Sequence, residues 1–285
     1  MRILVCGHRA YAARGLVKLL QSKGYDVVCF SRDKEGKETV TTMPKGERNV
    51  TGNVLKIDEN TYLLSEKIDV IINFILLEDA SEEDNLRYAE ALCRFASKIR
   101  AKKLIHMSSI SCYANDERLI SERTSIDPHP EMKGRYGTIK IKVDNILEGF
   151  KMDTRLVMMR PGFITAPDKK NALAGIAKVL PCGFAILMGD KGSTLPLCER
   201  NVLHKAMLDA IESQVPKDVY LLVGKGHGTK YSYLKQMMPD VHVVLMPKCL
   251  VIGLAKALKI INVFDEKQYQ MVRGLFKRQT FEGNF

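Results

Sequence analysis

The N-terminal segment, residues 1–30, constrains the fold most strongly. It contains two continuous apolar runs, residues 2–6 and 26–30, and the first run ends at Gly7. Between them, apolar residues recur at helical spacing over residues 16–20, and Gly24 follows as a candidate helix end. Such short apolar runs are typical of strands that are buried on both faces of a parallel sheet. A strand, a glycine turn, a helix and a second strand predict the start of a doubly wound α/β fold.

The alternation of strands and helices continues along the chain. Further strands are predicted at residues 54–57, 69–75, 103–107 and 155–160, with helices at 81–100 and 136–150 and a loop or edge hairpin at 34–52. This order predicts a Rossmann domain at residues 1–162, with residues 200–225 returning to the sheet. Residues 163–285 are predicted to form a smaller C-terminal α/β region that mainly binds substrate, with a helix at 172–180, a strand at 184–188 and helices from about residues 199 and 230.

The turn after the first strand is a candidate dinucleotide site. Gly7, Ala10 and Ala13 stand at the three positions of a Gly-x-x-Gly-x-x-Gly pattern, which brings a helix N-terminus to a pyrophosphate. The alanine at the third position still allows close helix–strand packing, whereas Ala10 restricts the backbone where it approaches phosphate. The cofactor-binding residues predicted in this turn are Gly7, Arg9, Ala10, Tyr11 and Ala12.

The end of the second strand indicates which nicotinamide cofactor binds. An NAD site places an acidic side chain there, whereas an arginine accepts the 2′-phosphate of NADP. The strand leads into Ser31 and Arg32, and Arg9 lies in the glycine turn, so the sequence favours NADP over NAD. The alternative is that both arginines are only exposed charges. Asp58 is a candidate adenine contact, and Phe74 and Ile75, which end the fourth strand at the same edge of the sheet, are also predicted to bind the cofactor.

Tyr136 and Lys140 form the candidate proton-transfer pair. They lie four residues apart at the start of the predicted helix 136–150, so their side chains project from the same face. A nearby cation favours phenolate and lowers the pKa of a tyrosine from its ordinary value of about 10. A tyrosine held in this way can give or take a proton near neutral pH, as reversible carbonyl and alcohol chemistry requires.

Composition limits the other functional classes. The net charge of +11 suits anionic ligands, but the basic residues are scattered and tryptophan is absent, which favours a phosphate-bearing small molecule over nucleic acid. The seven cysteines include no Cys-x-x-Cys pair, which indicates a reducing, cytoplasmic compartment. No His/Cys cluster predicts a metal site, and no apolar stretch predicts a signal peptide or an integral membrane segment.

Taken in order, four motifs carry a family resemblance: Gly7-x-x-Ala10-x-x-Ala13, Ser108-Ser109, Tyr136-x-x-x-Lys140 and Arg160-Pro161-Gly162. With them the chain resembles the extended short-chain dehydrogenase/reductases, and within these the nucleotide-sugar epimerase/dehydratase/reductase group. The resemblance covers residues 1–225 and is looser beyond. Its specific part is the Ser…Tyr-x-x-x-Lys arrangement.

The resemblance implies roles for individual residues. Tyr136 is the expected general acid/base, and Lys140 is expected to bind the nicotinamide ribose. Ser109 is expected to hydrogen-bond the substrate oxygen, with Ser108 as the alternative. Pro161 and Gly162 are expected to bring backbone close to the nicotinamide carboxamide.

The resemblance also implies a reaction and an assembly. Family dehydratases carry an Asp-Glu pair after the catalytic Ser/Thr, and this chain has Ile110-Ser111 there, which disfavours 4,6-dehydration. An epimerase or a ketoreductase of a nucleotide-linked sugar, in polysaccharide biosynthesis, is therefore expected; a non-catalytic NADP-binding protein is the alternative. Family members pair two helices across a two-fold axis, so a homodimer is expected through helices 81–100 and 136–150, whose outward positions are taken to include Leu92, Phe95, Ile141 and Ile146.

Overall fold

A computed structural model describes residues 1–42, 48–168, 173, 175–224 and 228–283. Its strands are β1 Arg2–Cys6, β2 Asp26–Arg32, β3 Thr39–Thr42, β4 Arg48–Gly52, β5 Val70–Asn73, β6 Lys103–Met107, β7 Leu119–Ser121, β8 Arg155–Pro161, β9 Phe163–Thr165, β10 Ala177–Leu180, β11 Phe184–Leu187, β12 Leu197–Glu199, β13 Val219–Leu222, β14 His242–Leu245 and β15 Thr280–Glu282. Its helices are α1 Leu16–Ser22, α2 Thr61–Ser65, α3 Glu82–Lys98, α4 Arg135–Gly149, α5 Arg200–Glu212, α6 Lys230–Met237, α7 Lys248–Ile260 and α8 Glu266–Gly274.

The chain divides into two compact units, and the first carries nearly all of the main sheet. This unit comprises Met1–Ser108, Ile139–Arg160 and Leu203–Tyr220. The sheet has the order β13-β8-β6-β5-β1-β2-β4-β3, and the strands from β8 to β4 run parallel. The sequence direction reverses between β1 and β5, which is the ligand-binding switch point of such sheets. The predicted doubly wound fold is confirmed.

One predicted strand is wrong. Residues 54–57 lie in a 3₁₀ segment, Val54–Glu59, and do not form a strand. The third parallel position belongs to β4, which pairs with β2 and also forms an antiparallel hairpin with β3. The hairpin expected within residues 34–52 is therefore present. The misassignment arose because Val54 and Ile57 are buried, and a short apolar run does not distinguish a strand from a helical turn.

The second unit comprises Ser109–Thr138, Pro161–Val202 and Leu221–Phe285. It contains a three-stranded sheet, β10-β11-β14, and two two-stranded pairs, β12-β9 and β15-β7. The helix predicted at residues 172–180 is wrong where the chain is described, since residues 177–180 form β10. Residues 172 and 174 lie outside the described residues. The predicted strand and helices at 184–188, 199–212 and 230 onward are confirmed as β11, α5 and α6.

The apolar positions expected to face outward for dimerisation do not do so. Leu92, Phe95 and Ile141 are fully buried within the single chain, and Ile146 packs against the same core. Leu92 and Phe95 belong to the main core cluster, and the partly buried Ile146 packs against it, because each helix turns its apolar stripe toward the core. These four residues therefore give no support to a homodimer. Across the described part of the chain, no helix combines the length and the apolarity needed to span a membrane.

Candidate active site

Gly7 requires the conformation and the space that only glycine provides. Its φ of +77° lies in the left-handed region, which L side chains adopt rarely. A Cβ built there would lie 3.0 Å from Ile75 Cγ1 and 3.2 Å from the Ile75 nitrogen. The Gly7 amide also donates to the Phe30 carbonyl. The turn is thereby fixed against the carboxyl ends of β2 and β5, where the sequence placed the dinucleotide.

A residue that the sequence reading missed closes the same turn. Tyr11–Ala13 form one 3₁₀ turn, and Ala10 precedes it. His204 on α5 donates from Nε2 to the Ala12 carbonyl over 2.8 Å, since a carbonyl oxygen can only accept. α5 therefore stabilises the glycine turn through this side-chain hydrogen bond. Nothing local in the sequence signals this contact, because the two residues are 192 positions apart.

Arg32, the predicted 2′-phosphate ligand, is engaged by a carboxylate. Its two terminal nitrogens donate to the two oxygens of Asp79, each over 2.9 Å. Both side chains are substantially exposed, so solvent screens the pair and it contributes little to stability. Ser31, one residue earlier, has a buried hydroxyl without a hydrogen-bond partner among the described residues. Arg9 is exposed in the glycine turn.

Asp58, the predicted adenine contact, is also committed to partners. Its carboxylate accepts from Arg94 Nε over 2.8 Å and lies 3.6 Å from Lys98 Nζ, both on α3. The side chain is buried. These contacts fasten α3 to the 3₁₀ segment that contains Asp58. They explain the residue structurally, and its contact with adenine stays a prediction.

Tyr136 and Lys140 both lie on helix α4, where the sequence predicts a helix. Tyr136 lies in the first turn, and its side chain is 48% exposed. Lys140, one turn later, is 4% exposed, and its ammonium donates to the Met107 carbonyl at the end of β6. A buried ammonium costs free energy unless it is hydrogen-bonded, and this bond fixes its position. The helix therefore presents an accessible phenol one turn before an anchored cation.

Ser109 lies in a turn next to the start of this helix. It caps the 3₁₀ turn Ile110–Cys112, and its hydroxyl accepts from the Ser111 amide. A Cβ built at Gly137 would lie 3.6 Å from the Ser111 carbonyl oxygen and 3.1 Å from Lys133 Cβ. The small residue after Tyr136 thus lets the serine turn approach the helix closely. The Ser109 and Tyr136 segments are adjacent within the second unit.

Beneath the strand ends of the first unit lies a buried polar cluster that the sequence reading missed. The side-chain oxygen of Asn73, Oδ1, accepts from the Ile75 amide and the Tyr88 hydroxyl. The side-chain nitrogen, Nδ2, therefore donates to His106 Nδ1, 3.0 Å away. His106 is therefore neutral, with its proton on Nε2. Burial, together with the charges of Lys140 and Arg160, lowers the pKa of His106 well below its ordinary 6.5.

Asp144 completes this cluster from α4. Its carboxylate accepts from the Ser108 hydroxyl over 2.6 Å and lies 3.5 Å from Arg160 Nη2. Burial raises the pKa of Asp144 to about 6, although Arg160, Ser108 and Lys140 all favour the ionised form. Asp144 follows Lys140 by four positions on the same helical face, so this spacing is the signal by which the sequence could have revealed it. The bond to Asp144 gives Ser108 a structural role.

Substituting Asp144 should change how stability depends on pH. The folded pKa of about 6 exceeds the ordinary 3.8, so between these values the native state binds more protons than the unfolded state, and stability falls as pH rises. Relative to Asp144→Asn, the wild-type free energy of unfolding should fall by about 2 kcal/mol between pH ~4 and ~7. Urea denaturation across this range measures the difference. Asp153→Asn controls for loss of a surface carboxylate; a pH-independent difference for Asp144→Asn contradicts the assignment.

Pro161 and Gly162 lie where β8 ends. Gly162 donates its amide to the Leu222 carbonyl, and a Cβ built on it would lie 2.3 Å from the Pro196 carbonyl oxygen. Two backbone segments therefore meet at this glycine within the second unit. This contact accounts for the glycine without a ligand, and its approach to a nicotinamide stays a prediction.

The second unit also contains a cavity of about 540 Å³ with an excess of basic side chains. Its basic lining residues are Arg118, Lys248, Arg273, Lys277 and Arg278, and its acidic ones are Asp116, Glu117 and Asp127. Asp127 lies 3.1 Å from the buried Lys133 ammonium, and Arg278 lies 3.0 Å from the Asp190 carboxylate, so four basic and two acidic lining side chains remain outside these pairs. Burial and the charges of Lys133 and Lys230 lower the pKa of Lys277 to about 8. The cavity therefore suits an anion.

The first unit fits a dinucleotide at the predicted edge of its sheet. Gly7, with its left-handed backbone and close neighbours, lies at the end of β1, and the Ser31 hydroxyl, which has no hydrogen-bond partner among the described residues, lies at the end of the neighbouring β2. Both are at the carboxyl ends of strands beside the switch point. Among the described residues, no group of three or more His, Cys, Asp or Glu side chains could hold a metal ion.

Comparison with known proteins agrees with this architecture. The family model of the NAD dependent epimerase/dehydratase family matches residues 3–190, which is more than half of the chain. No curated protein matches the sequence.

Many solved structures share the fold at low identity. UDP-glucose 4-epimerase from Thermotoga maritima, solved with UDP-glucose, is 16% identical with a TM-score of 0.67, covering 87% of this chain and 86% of its own. dTDP-glucose 4,6-dehydratase from Bacillus anthracis, solved with NAD, is 17% identical with a TM-score of 0.65, covering 87% and 85%. L-threonine dehydrogenase from Phytophthora infestans is 14% identical with a TM-score of 0.67, covering 99% and 90%.

Proposed function

Since the chain belongs to the NAD dependent epimerase/dehydratase family of extended short-chain dehydrogenase enzymes, we propose that it is an epimerase or ketoreductase of a nucleotide-linked sugar. The observation that carries this proposal is helix α4, which presents the accessible phenol of Tyr136 one turn before the anchored ammonium of Lys140. Ser109, in the adjacent turn, supplies a hydroxyl for the substrate oxygen. Ile110-Ser111 follows it in place of the acidic pair of dehydratases, which weighs against loss of water.

The chain's own residues manage the proton in this reaction. A bound nicotinamide dinucleotide supplies the hydride acceptor or donor. Tyr136 takes the hydroxyl proton as the alcohol is oxidised and returns it on reduction, so the oxyanion does not develop full charge. Lys140 stabilises the deprotonated phenol, and Ser109 orients the sugar oxygen. The bond from Lys140 to the Met107 carbonyl keeps this cation in place between steps.

We assign NADP as the preferred cofactor from Arg32 and Arg9. The Asp79 partner of Arg32 is an exposed carboxylate, so a doubly charged 2′-phosphate can replace it at little cost. β2 itself ends in Ser31 and Arg32, and the acidic residue that follows, Asp33, accepts with its carboxylate from the Glu35 and Lys37 amides, so its Oδ1 is already used in the turn. NAD is the alternative, and NAD or UDP-glucose accompany solved structures of the same fold.

The basic cavity of the second unit supports a nucleotide-sugar substrate. Five basic side chains line it, among them Lys277, whose pKa is lowered by burial and by the neighbouring Lys133 and Lys230 charges. A diphosphate carries the charge that such a cavity needs, and its volume lies within the range of small-molecule sites. The positive net charge of the chain also favours capture of an anionic substrate.

The experiment that tests this function identifies what the purified protein carries and consumes. Mass spectrometry identifies a co-purified dinucleotide, and the protein is then assayed with UDP- and dTDP-linked hexoses and their 4-keto forms. An epimerase turns over without added cofactor; a ketoreductase oxidises NADPH in proportion to product and prefers it to NADH. A dinucleotide that binds without any turnover would favour the non-catalytic alternative and overturn the enzymatic proposal.

L-Threonine belongs in the same assay as a second candidate substrate. The Phytophthora infestans L-threonine dehydrogenase matches 99% of this chain, including α7 and α8, whereas the two nucleotide-sugar enzymes match 87%. NAD-dependent oxidation of L-threonine, with no turnover of sugar nucleotides, would move the substrate assignment to a small hydroxy amino acid. A homodimer and a cytoplasmic location stay predictions of the family resemblance and of the cysteine pattern.

A further inference from the structure

A cluster of lysine ammonium groups lies in the second unit. Lys133 and Lys230 are near enough to Lys277 for their charges to act on it. Lys133 is buried, and Lys230 and Lys277 are half-buried. Like charges repel strongly in such surroundings, because little water lies between them to screen the repulsion. The lysine cluster therefore costs the folded protein free energy, and a bound anion would offset this cost.

Two members of the lysine cluster are committed to protein partners. Lys133 donates to the Tyr113 carbonyl over 2.5 Å and to Asn115 Oδ1 over 3.0 Å. Its ammonium also lies 3.1 Å from the Asp127 carboxylate, so all three of its N–H donors have an acceptor nearby. Lys230 donates to two backbone carbonyls, over 2.7 Å and 3.1 Å. These two lysines therefore fasten segments of the unit to each other.

Lys277 differs from these two because its side chain lines the basic cavity of about 540 Å³. Its backbone carbonyl accepts from the Thr194 amide. Gln279, two residues later, donates from its side-chain amide to the carbonyls of Ala114 and Glu117. The segment is thereby held on two sides, and Lys277 is presented to the cavity from a fixed backbone.

Charged side chains approach Lys277 from several segments of the unit. Lys133 and Asp127 precede α4, and Lys230 begins α6. The other charged or titratable residues that line the cavity are Asp116, Glu117, Arg118, His129, Lys248 and Arg273, together with Arg278, which pairs with Asp190. With His129 neutral and the pairs of Asp127 and Arg278 set aside, four basic and two acidic side chains give the cavity a net charge of +2. Loss of the Lys277 proton lowers this charge to +1.

We propose that Lys277 controls the binding of a diphosphate group in the basic cavity: it holds the group while its amine is protonated and releases it when the amine is neutral. The nucleotide-linked sugar of the proposed function supplies this diphosphate, so the proposal rests on that function. Burial and the charges of Lys133 and Lys230 lower the pKa of Lys277 to about 8, so its amine changes charge just above neutral pH. Affinity should be highest below this pKa, where Lys277 is an ammonium, and should fall as pH rises through it.

Isothermal titration calorimetry of the full chain with UDP-glucose tests this control by Lys277. Between pH ~7 and ~9 the wild type should lose about fivefold to tenfold in affinity, because the cavity loses one positive charge while the diphosphate keeps its own. Lys277→Arg should bind within about threefold of the wild type at pH ~7 and should lose the pH dependence, since a guanidinium stays protonated. Lys277→Met should bind about tenfold more weakly at pH ~7, also without the pH dependence.

Lys256→Met is the matched control, because Lys256 is an exposed lysine of the same unit that does not line the cavity. It should bind UDP-glucose like the wild type at both pH values. His129→Gln removes the histidine of the cavity and should leave the pH dependence unchanged. Circular dichroism should confirm that all variants are folded. A Lys277→Met protein that binds like the wild type, or a Lys277→Arg protein that keeps the pH dependence, overturns the proposal.

Labelling with pyridoxal 5′-phosphate separates this proposal from the proposed function. A neutral lysine amine attacks the aldehyde of this reagent, water leaves, and borohydride reduces the imine to a secondary amine that peptide mass spectrometry locates. Lys277 should be labelled before the exposed Lys256, because the cavity attracts the phosphate of the reagent. Inorganic diphosphate and UDP-glucose should each protect Lys277.

The pattern of protection distinguishes the two failures. Protection by inorganic diphosphate but by neither UDP-glucose nor dTDP-glucose would support the control of diphosphate binding by Lys277 and reject the nucleotide-sugar substrate. Labelling of Lys277 that is no faster than that of Lys256, or that none of the three anions slows, overturns the proposal even if the protein turns over sugar nucleotides.

Discussion

Tyr136→Phe should reduce turnover by about 10³-fold while leaving cofactor affinity within about twofold of the wild type. The substitution removes only the hydroxyl that transfers the proton and keeps the ring. Because this side chain is 48% exposed, loss of the hydroxyl should not destabilise the fold measurably. Steady-state rates with the sugar nucleotide, dinucleotide titration by fluorescence and thermal unfolding measure the three quantities separately.

Tyr25→Phe is the matched control for this change. Tyr25 lies on the surface of the first unit, and its hydroxyl donates to Glu212. Its loss should leave turnover unchanged. If Tyr136→Phe retains a turnover within about threefold of the wild type, the phenol is not the proton-transfer group and the assignment of α4 as the reacting element is wrong. A parallel loss of dinucleotide affinity would instead indicate that the phenol binds the cofactor.

Gly162→Ala should destabilise the second unit by about 3–5 kcal/mol. The new Cβ would lie 2.3 Å from the Pro196 carbonyl oxygen and 2.9 Å from its carbonyl carbon. Backbone must move, because neither atom belongs to a flexible side chain. The same Pro196 oxygen accepts from the Phe163 amide, and β9 pairs with β12 beside it. Urea or thermal unfolding of the second unit measures the loss.

Gly253→Ala is the control, since it makes the same change in the same unit. Gly253 lies within α7, and a Cβ there meets nothing within 4 Å. Alanine should therefore be neutral or stabilise the helix by up to about 1 kcal/mol. A Gly162→Ala protein whose free energy of unfolding is within about 1 kcal/mol of the wild type would show that the β9 and β12 segments separate easily.

Much of the fold was predictable because its signals are local. Each of these signals lies within one short stretch of the chain. They are the apolar runs of β1, β2, β5, β6 and β8 and the helical patterns of α3 and α4. The spacing from Tyr136 to Lys140 is equally local. The strand expected at residues 54–57 was wrong because a short local pattern can be ambiguous: four mainly apolar residues fit a strand and a 3₁₀ turn equally well. Only the pairing of β4 with β2 distinguishes them.

The partners of the candidate site residues were not predictable in this way. Arg32 meets Asp79 across 47 positions, Asp58 meets Arg94 across 36, and the two outward positions expected on α3 turn into the core. Each outcome depends on how separate elements pack. A charge in a sequence window indicates what a residue can bind, whereas its neighbour in space decides what it does bind.

The sequence by itself therefore determined the doubly wound sheet, the glycine turn and the order of Ser109, Tyr136 and Lys140, since periodicity and spacing act within single elements. The tertiary structure alone decided that Lys140 is anchored on Met107, that Asp144 is buried beside Arg160, and that α7 keeps an apolar face outward. The physical reason is that burial and hydrogen-bond partners are properties of contacts between distant segments. Such contacts exist only once the chain has packed.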